Sequence, residues 1–456
     1  MMVLFIRTGA VALCVSRVMA INLNITNLTS IQEATGLILS GLMDYYQGYK
    51  KGGTVGMFTN PYYWWEAGGA WGSLIDFSYL MENDTYVDVI STSLQYQTGE
   101  QNNYMPLNQT TTEGNDDQGF WGLAVMAAAE KNFTNPKDPE KAWLALAQGV
   151  FNTMAARWDV AHCGGGLRWQ IFQWNMGYDY KNSVSNGCLF NIGARLARYT
   201  GNDSYADWAE KVWDWMEEVE LLKLQENWNL WFVYDGLNNT NCSHVTEIQW
   251  TYNQGLMLNG AAFLCNYTQE EKWCNRTENL LAGSVVFFNR TTENPVMYEA
   301  ACQGATKSNC NNDQRSFKAY FARFLALTSV LVPSTRPTID KYIQSSAVAA
   351  AQSCSGGTDG HTCGLNWSWK GWDGYWGLGE QMSALEVIQS LRVHDRPGPL
   401  TASTGGSSLG NPAAGFGTSN RDAEPLNLTS KDKAGAGIIT ALIGVSLTAS
   451  FVWLII

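Results

Sequence analysis

The chain has 456 residues, of which 45% are hydrophobic and only 15% charged, so it can bury a large core as one big domain or a few ordinary ones. Its formal net charge is −12, which disfavours nucleic acid, whose phosphates recruit Lys and Arg. The balance suits a secreted protein that handles neutral ligands.

Residues 1–20 have the form of a secretory signal peptide: Arg7, an apolar run from Gly9 to Val15, and the small-residue site Val18-Met19-Ala20. From residue 22 to 394, helical runs of two kinds alternate. Amphipathic runs cover Ile31–Tyr49, Tyr86–Tyr96, Pro139–Trp158, Tyr205–Leu222, Glu270–Phe288 and Ile339–Gln352. In the fourth, Tyr205, Trp208, Val212, Trp215, Val219 and Leu222 recur at spacings of three and four. Runs that are apolar nearly all round cover Trp65–Met81, Asp117–Glu130, Ser185–Tyr199, Asn253–Asn266, Gln314–Val330 and Tyr375–Leu391. A helix without a polar face is buried on all sides. Six outer runs alternating with six inner ones predict an all-α fold, a single (α/α)6 barrel.

The loops that lead into the inner runs converge on one end of such a barrel. Each mixes aromatics with Asp, Asn or Gln, as in Tyr62-Tyr63-Trp64-Trp65-Glu66, Asn115-Asp116-Asp117-Gln118 and Trp250-Thr251-Tyr252-Asn253-Gln254. Flat side chains stack on sugar rings, and amides and carboxylates bind hydroxyls. Asp116-Asp117 is the pair that carries chemistry. An Asp there can cap a helix, but two adjacent carboxyls raise each other's pKa, so one stays protonated beside one ionised. Glycosidic cleavage needs that division, and neighbours at a helix start suit the ~5–5.5 Å carboxyl spacing of retaining enzymes. Arg168, Asp179, Asp235, Asp313 and Asp373 are further candidate ligands or pKa tuners.

Other chemistries fit poorly. Gly406-Ser407-Ser408-Leu409-Gly410 matches a serine-hydrolase elbow but has no preceding strand. The four His form no zinc-hydrolase motif, no phosphate loop is present, and no metal or cofactor is expected.

Residues 395–433 are rich in Gly, Ser, Thr, Pro and Ala and read as a flexible stalk. Small residues around Gly415–Asn420, a polar spacer from Arg421 to Lys433 and a hydrophobic tail over 434–456 match a glycolipid (GPI) anchor signal; the competing reading is a single C-terminal membrane span. Thirteen N-glycosylation sequons agree with secretion. Of ten Cys, Cys14 leaves with the signal peptide. Spacing pairs Cys265 with Cys274, Cys302 with Cys310 and Cys354 with Cys363. We pair Cys163 with Cys242 and leave Cys188 as a buried thiol.

Set side by side, Asn115-Asp116-Asp117-Gln118, Cys163-Gly164-Gly165-Gly166-Leu167-Arg168-Trp169-Gln170, Tyr178-Asp179-Tyr180-Lys181-Asn182, Val233-Tyr234-Asp235-Gly236, Tyr252-Asn253-Gln254-Gly255 and Asn311-Asn312-Asp313-Gln314-Arg315-Ser316 resemble glycoside hydrolase family 76, the endo-α-1,6-mannanase family. The resemblance covers about residues 22–394 and is strongest to its fungal GPI-anchored wall members. It implies an (α/α)6 fold, no metal, Asp116 as nucleophile and Asp117 as acid/base. Expected substrate ligands are Trp64, Trp65, Asn115, Arg168, Asp179, Tyr180, Lys181, Asn182, Tyr252, Asn253, Asn312, Asp313, Trp372 and Asp373. It further implies α-mannoside glycans of GPI anchors or mannan as donors, a β-glucan acceptor, and a place at the outer face of the plasma membrane or in the wall. Plain hydrolysis of α-1,6-mannan, or a non-catalytic mannan-binding wall protein, are the alternatives.

Overall fold

A computed structural model describes residues 20–289, 294–304 and 308–415, with Thr440 beyond them. Most of the expected signal peptide and the whole hydrophobic tail, apart from Thr440, lie outside the described residues, as does the spacer. Among the described residues, twelve α-helices follow one another: α1 (Leu28–Met43), α2 (Trp64–Met81), α3 (Val87–Tyr96), α4 (Asn115–Glu130), α5 (Trp143–Ala156), α6 (Ser183–Thr200), α7 (Asp203–Glu218), α8 (Thr251–Thr268), α9 (Glu271–Gly283), α10 (Asn312–Leu331), α11 (Arg336–Ser353) and α12 (Leu378–Gln389).

The even-numbered helices pack each against the next, and α12 returns to α2, closing an inner ring. The odd-numbered helices lie outside it, α3 on α2, α5 on α4, α7 on α6, α9 on α8, α11 on α10 and α1 on α12. This is the (α/α)6 barrel that the alternating apolar pattern implies. The cause is side-chain burial: α2 and α8 bury residues on every face, whereas α7 buries only Tyr205, Ala209, Val212, Trp213, Trp215 and Met216.

Glycines let the inner helices approach. A Cβ at Gly69 would lie 2.1 Å from the Tyr320 hydroxyl, and one at Gly119 2.6 Å from Cys188 Cβ. Where these helices end, buried ion pairs tie them together. Asp76 meets Lys131 at 2.7 Å and Arg323 at 2.8 Å, and Arg195 meets Glu130 at 2.6 Å.

Strand signals are scarce in the sequence, yet short strands are present: β1 (Tyr180–Asn182), β2 (Leu222–Gln225), β3 (Leu230–Val233), β4 (Gly236–Asn238), β5 (Val245–Thr246), β6 (Phe288–Asn289) and β7 (Val296–Met297). Two to four residues are too few to produce a legible alternation. They matter at one place, where β4 pairs antiparallel with β1 (Lys181 opposite Leu237) and with β5 (Gly236 opposite Thr246) to wall one side of the helix starts. Disulfides Cys163–Cys242, Cys265–Cys274, Cys302–Cys310 and Cys354–Cys363 are all formed, and Cys188 is free and buried. No helix among the described residues is long and apolar enough to cross a membrane.

One expectation is overturned. Residues 397–415, expected to be part of a flexible stalk, form an ordered strap. Pro397 O accepts from Tyr79 Oη at 2.7 Å, Leu400 N donates to Glu130 O at 2.8 Å, and Ala402 N donates to Tyr199 O at 2.9 Å. The Leu144 N–H, in the first turn of α5, donates to Ser408 Oγ at 2.9 Å. Composition is a poor guide here because the strap is held by hydrogen bonds to helix backbone and side chains, not by bulky apolar residues of its own. Ser408 is therefore spent on a helix start, which removes the serine-hydrolase match.

Candidate active site

The starts of the inner helices surround an open cleft of about 1280 Å³. Its walls include Tyr63, Trp64 and Trp65 from the start of α2, Asp116, Asp117 and Phe120 from α4, Trp169 and Gln170 from the loop before β1, and Asp313 and Phe317 from α10. Tyr180, Asn182, Asp235, Trp250 and Tyr252 complete the side formed by β1, β4 and α8. Tyr252 stacks on Phe317 with ring centres 3.7 Å apart, forming a flat apolar floor.

The Asp pair does not sit at the N-cap. Gly114 is the N-cap, and the aspartates occupy the first turn of α4. The Gly114 N–H donates to Asp117 Oδ2 at 2.7 Å, so Asp117 supplies the acidic half of a capping box whose other side chain is missing. The glycine is needed for space, because a Cβ there would lie 2.4 Å from Asp116 Oδ1 and 3.0 Å from Trp169 O. The loop carrying Trp169 is laced to this turn. Asn115 N donates to Trp169 O at 2.8 Å, and Asn115 Nδ2 to Arg168 O at 2.9 Å. Arg157, just past α5, donates to Asn115 Oδ1 at 2.8 Å and to Gln118 Oε1.

Three cleft aspartates share one device, an indole N–H. Trp169 Nε1 donates to Asp116 Oδ2 at 3.1 Å, Trp65 Nε1 to Asp313 Oδ1 at 3.1 Å, and Trp250 Nε1 to Asp235 Oδ1 at 2.9 Å. Asp235 also accepts from the Tyr180 hydroxyl at 2.7 Å. Burial raises the pKa of all three, and the indoles pull the other way. Asp116 is raised to about 7; its own and Asp117's backbone N–H groups join Trp169 in favouring the ionised form. Asp117 is held well above the ordinary carboxyl range, first by burial and then by the charge of Asp116. The pair is therefore asymmetric. Asp116 has the donors that stabilise a carboxylate, and Asp117 keeps its proton. One carboxyl held toward its ionised form beside one held toward its protonated form is the combination that paired-carboxylate glycosidic chemistry uses.

Of the residues expected to bind substrate, Trp64, Trp65, Tyr180, Asn182, Tyr252 and Asp313 line the cleft. The others are placed elsewhere. Asn115 is buried in the loop lacing described above. Arg168 lies over the Tyr178 ring and pairs with Asp159 at 2.8 Å. Lys181 is fully buried and donates to Asp159 O at 2.9 Å and His162 O at 2.6 Å. Asp179 accepts from Asn238 Nδ2 at 3.0 Å. Asn253 is buried in α8, and Asn312 opens α10 outside the cleft lining. Asp373 accepts from Leu365 N at 3.2 Å and Asn366 N at 2.7 Å, organising its own loop, and the Trp372 indole donates to Tyr375 O at 2.6 Å. Trp169, Gln170, Trp250, Gln109, Thr112, Asn311 and Gln314 line the cleft without having been singled out as ligands. Trp169 and Trp250 each adjoin or belong to a motif the sequence marks, which was the available signal. Among the described residues no cluster of three His, Cys, Asp or Glu is placed to hold a metal ion.

Comparison with known proteins agrees with this geometry. The model of glycosyl hydrolase family 76 matches residues 30–403. The chain is 66% identical over 440 residues, 96% of both chains, to "mannan endo-1,6-alpha-mannosidase DCW1" of Candida albicans. It is 59% identical to the protein of that name in Saccharomyces cerevisiae, with 96% of this chain and 95% of that one covered. Among solved structures, Dfg5 from Chaetomium thermophilum in complex with glucosamine superposes with a TM-score of 0.81 at 39% identity, covering 86% of this chain and 97% of that one. An inactive variant of α-1,6-mannanase from Salegentibacter sp. HEL1_6, in complex with α-1,6-mannotriose, shares the fold at a TM-score of 0.62 and 17% identity, covering 79% of this chain and 99% of that one. Together the barrel, the paired carboxyls in its cleft and these matches show that the chain belongs to glycosyl hydrolase family 76.

Proposed function

We propose that the protein is a retaining α-1,6-mannanase-type glycosidase that acts on the α-mannoside of GPI glycans or mannan and transfers the released glycoconjugate to wall β-glucan. The observation that carries the reading is the asymmetric Asp116–Asp117 pair at the start of α4. The Asp116 carboxylate attacks the anomeric carbon while Asp117 gives its proton to the glycosidic oxygen, and the old C–O bond breaks as the mannosyl ester on Asp116 forms. Asp117, now ionised, takes a proton from an incoming hydroxyl whose oxygen displaces Asp116, so the anomeric configuration is retained over two inversions. The stacked floor of Tyr252 and Phe317 supports a sugar ring, and Asp235 and Asp313 offer acceptors to its hydroxyls. Both curated relatives are named for mannan endo-1,6-α-mannosidase activity, and the thermophilic relative's complex with glucosamine supports a donor containing an amino sugar, as the GPI core does.

The test is product analysis. Asp116→Asn and Asp117→Asn should each abolish turnover of an α-1,6-mannoside donor, and added β-glucan oligosaccharide should appear covalently in the wild-type product. Unchanged turnover in both variants overturns the enzymatic reading. Free reducing ends with no glucan adduct would leave a hydrolytic mannanase.

A further inference from the structure

The strap has a direction. It leaves the base of the barrel at Pro397, passes the ends of α4 and α6 at Leu400 and Ala402, and meets Asn132 through Gly405 and Ser407. It then climbs the outer helix α5. Ser408 takes the Leu144 N–H, Asn411 N donates to Gln148 Oε1 at 2.6 Å, and Asn152 Nδ2 donates to Pro412 O at 3.0 Å and Ala414 O at 2.8 Å. Residues 144, 148 and 152 are four apart and lie on one face of α5, so the strap follows that face from the helix start toward its end. The end of α5 is at the catalytic end, because Arg157 bonds Asn115 and Gln118 there. Gly415, the last described residue of the strap, has close quarters with Gly149 and Thr153; the Thr153 hydroxyl is 2.8 Å from Gln118 Nε2, in the first turn of the helix that carries Asp116 and Asp117.

We infer that the strap delivers the C-terminal segment to the catalytic end of the barrel, so that a surface holding that segment faces the cleft. The expected anchor stretch, Gly415–Asn420, begins at the last residue described in this run, and five further residues reach at most roughly 18 Å. Gly415 lies on the half of α5 nearer the catalytic end, so a bilayer attached there is expected nearer the cleft than the base. The donor favoured by this geometry is an α-mannoside glycan held on the same membrane, in preference to mannan deep in the wall. This last step rests on the anchored-glycosidase reading above; the orientation itself does not.

The experiment holds the chain by a histidine tag placed after Asn420 on phosphatidylcholine vesicles that contain nickel-chelating lipid and an acceptor dye. A donor dye is attached at Met176→Cys beside the cleft, where the side chain is 93% exposed, or at exposed Lys137→Cys at the base; Cys188 is buried. Because a helix of α4's length spans about 24 Å, energy transfer from position 176 should exceed that from 137 by about twofold or more. Equal or reversed transfer overturns the inference. In Gln148→Ala/Asn152→Ala the strap loses its hold on the upper part of α5, and the difference should vanish while turnover of soluble α-1,6-mannotriose stays within about twofold. Persistence of the difference in that variant overturns the role given to the strap. Release of the full chain from fungal membranes by a phosphatidylinositol-specific phospholipase tests the anchor separately, and its failure would remove the membrane donor without touching the orientation result.

Discussion

The carboxyl of Asp116 is held between opposed influences. Burial pushes its pKa up, and the Trp169 indole with two backbone N–H groups pulls it down. Trp169→Phe keeps the ring and removes the N–H. The acid limb of kcat/KM, which in the proposed mechanism follows ionisation of Asp116, should then move up by about one pH unit, as expected for a partly exposed hydrogen bond to a charged group. A profile that does not move separates Trp169 from the titration. The same groups affect stability. Both aspartates have folded pKa values raised above their unfolded ones, so their favourable contribution is complete only below the unfolded value, about 3.9, and is lost as pH rises through the folded value, about 7 for Asp116. Asp117→Asn should therefore melt higher than wild type near neutral pH, by roughly 2 °C or more, and the gap should close toward pH 4. A constant gap would mean that the substitution acts through packing.

At the scale of elements, what the sequence could reveal depended on period and direction. The inner helices were legible because residues such as those of α2 are apolar on every face, and the outer ones because α7 alternates its faces at helical spacing. Residue types in the loops were legible, but side-chain direction was not. In β1, Tyr180 and Asn182 face the cleft while Lys181 between them points to the opposite side, under the Cys163–Gly165 turn. In α8, Tyr252 lines the cleft, and Asn253, turned about 100° further round the helix, does not. The strap was missed for another reason, since its partners are spread over four helices far away in sequence. Its contribution is measurable at one residue. The Ala142 N-cap of α5 makes no side-chain cap bond, and Ser408 supplies the acceptor from the strap. Ser408→Ala should lower stability by about 1 kcal/mol, as loss of a helix cap does, with kcat/KM unchanged. No loss of stability in denaturant melts would show that the strap is not coupled to α5.

The whole molecule joins a rigid ring to a cleft built on one end of it. Buried ion pairs fix the far end of the inner helices, the disulfide between Cys163 and Cys242 ties the Trp169 loop to the neighbourhood of β4 and β5, and the strap runs from one end to the other. These supports hold the Asp116–Asp117 pair in a fixed, partly buried position on the wall of the cleft, the kind of preorganised placement that paired-carboxylate chemistry uses. The central claim is that Asp116 forms a bond to the sugar. The most direct measurement is mass spectrometry of peptides after reaction with an activated fluoro-mannoside, which slows breakdown of a glycosyl ester. The account predicts one mannosyl adduct, on Asp116, that accumulates in wild type and is absent in Asp116→Asn. An adduct on Asp117 instead, or inversion of configuration in the product with no adduct on either residue, would contradict it.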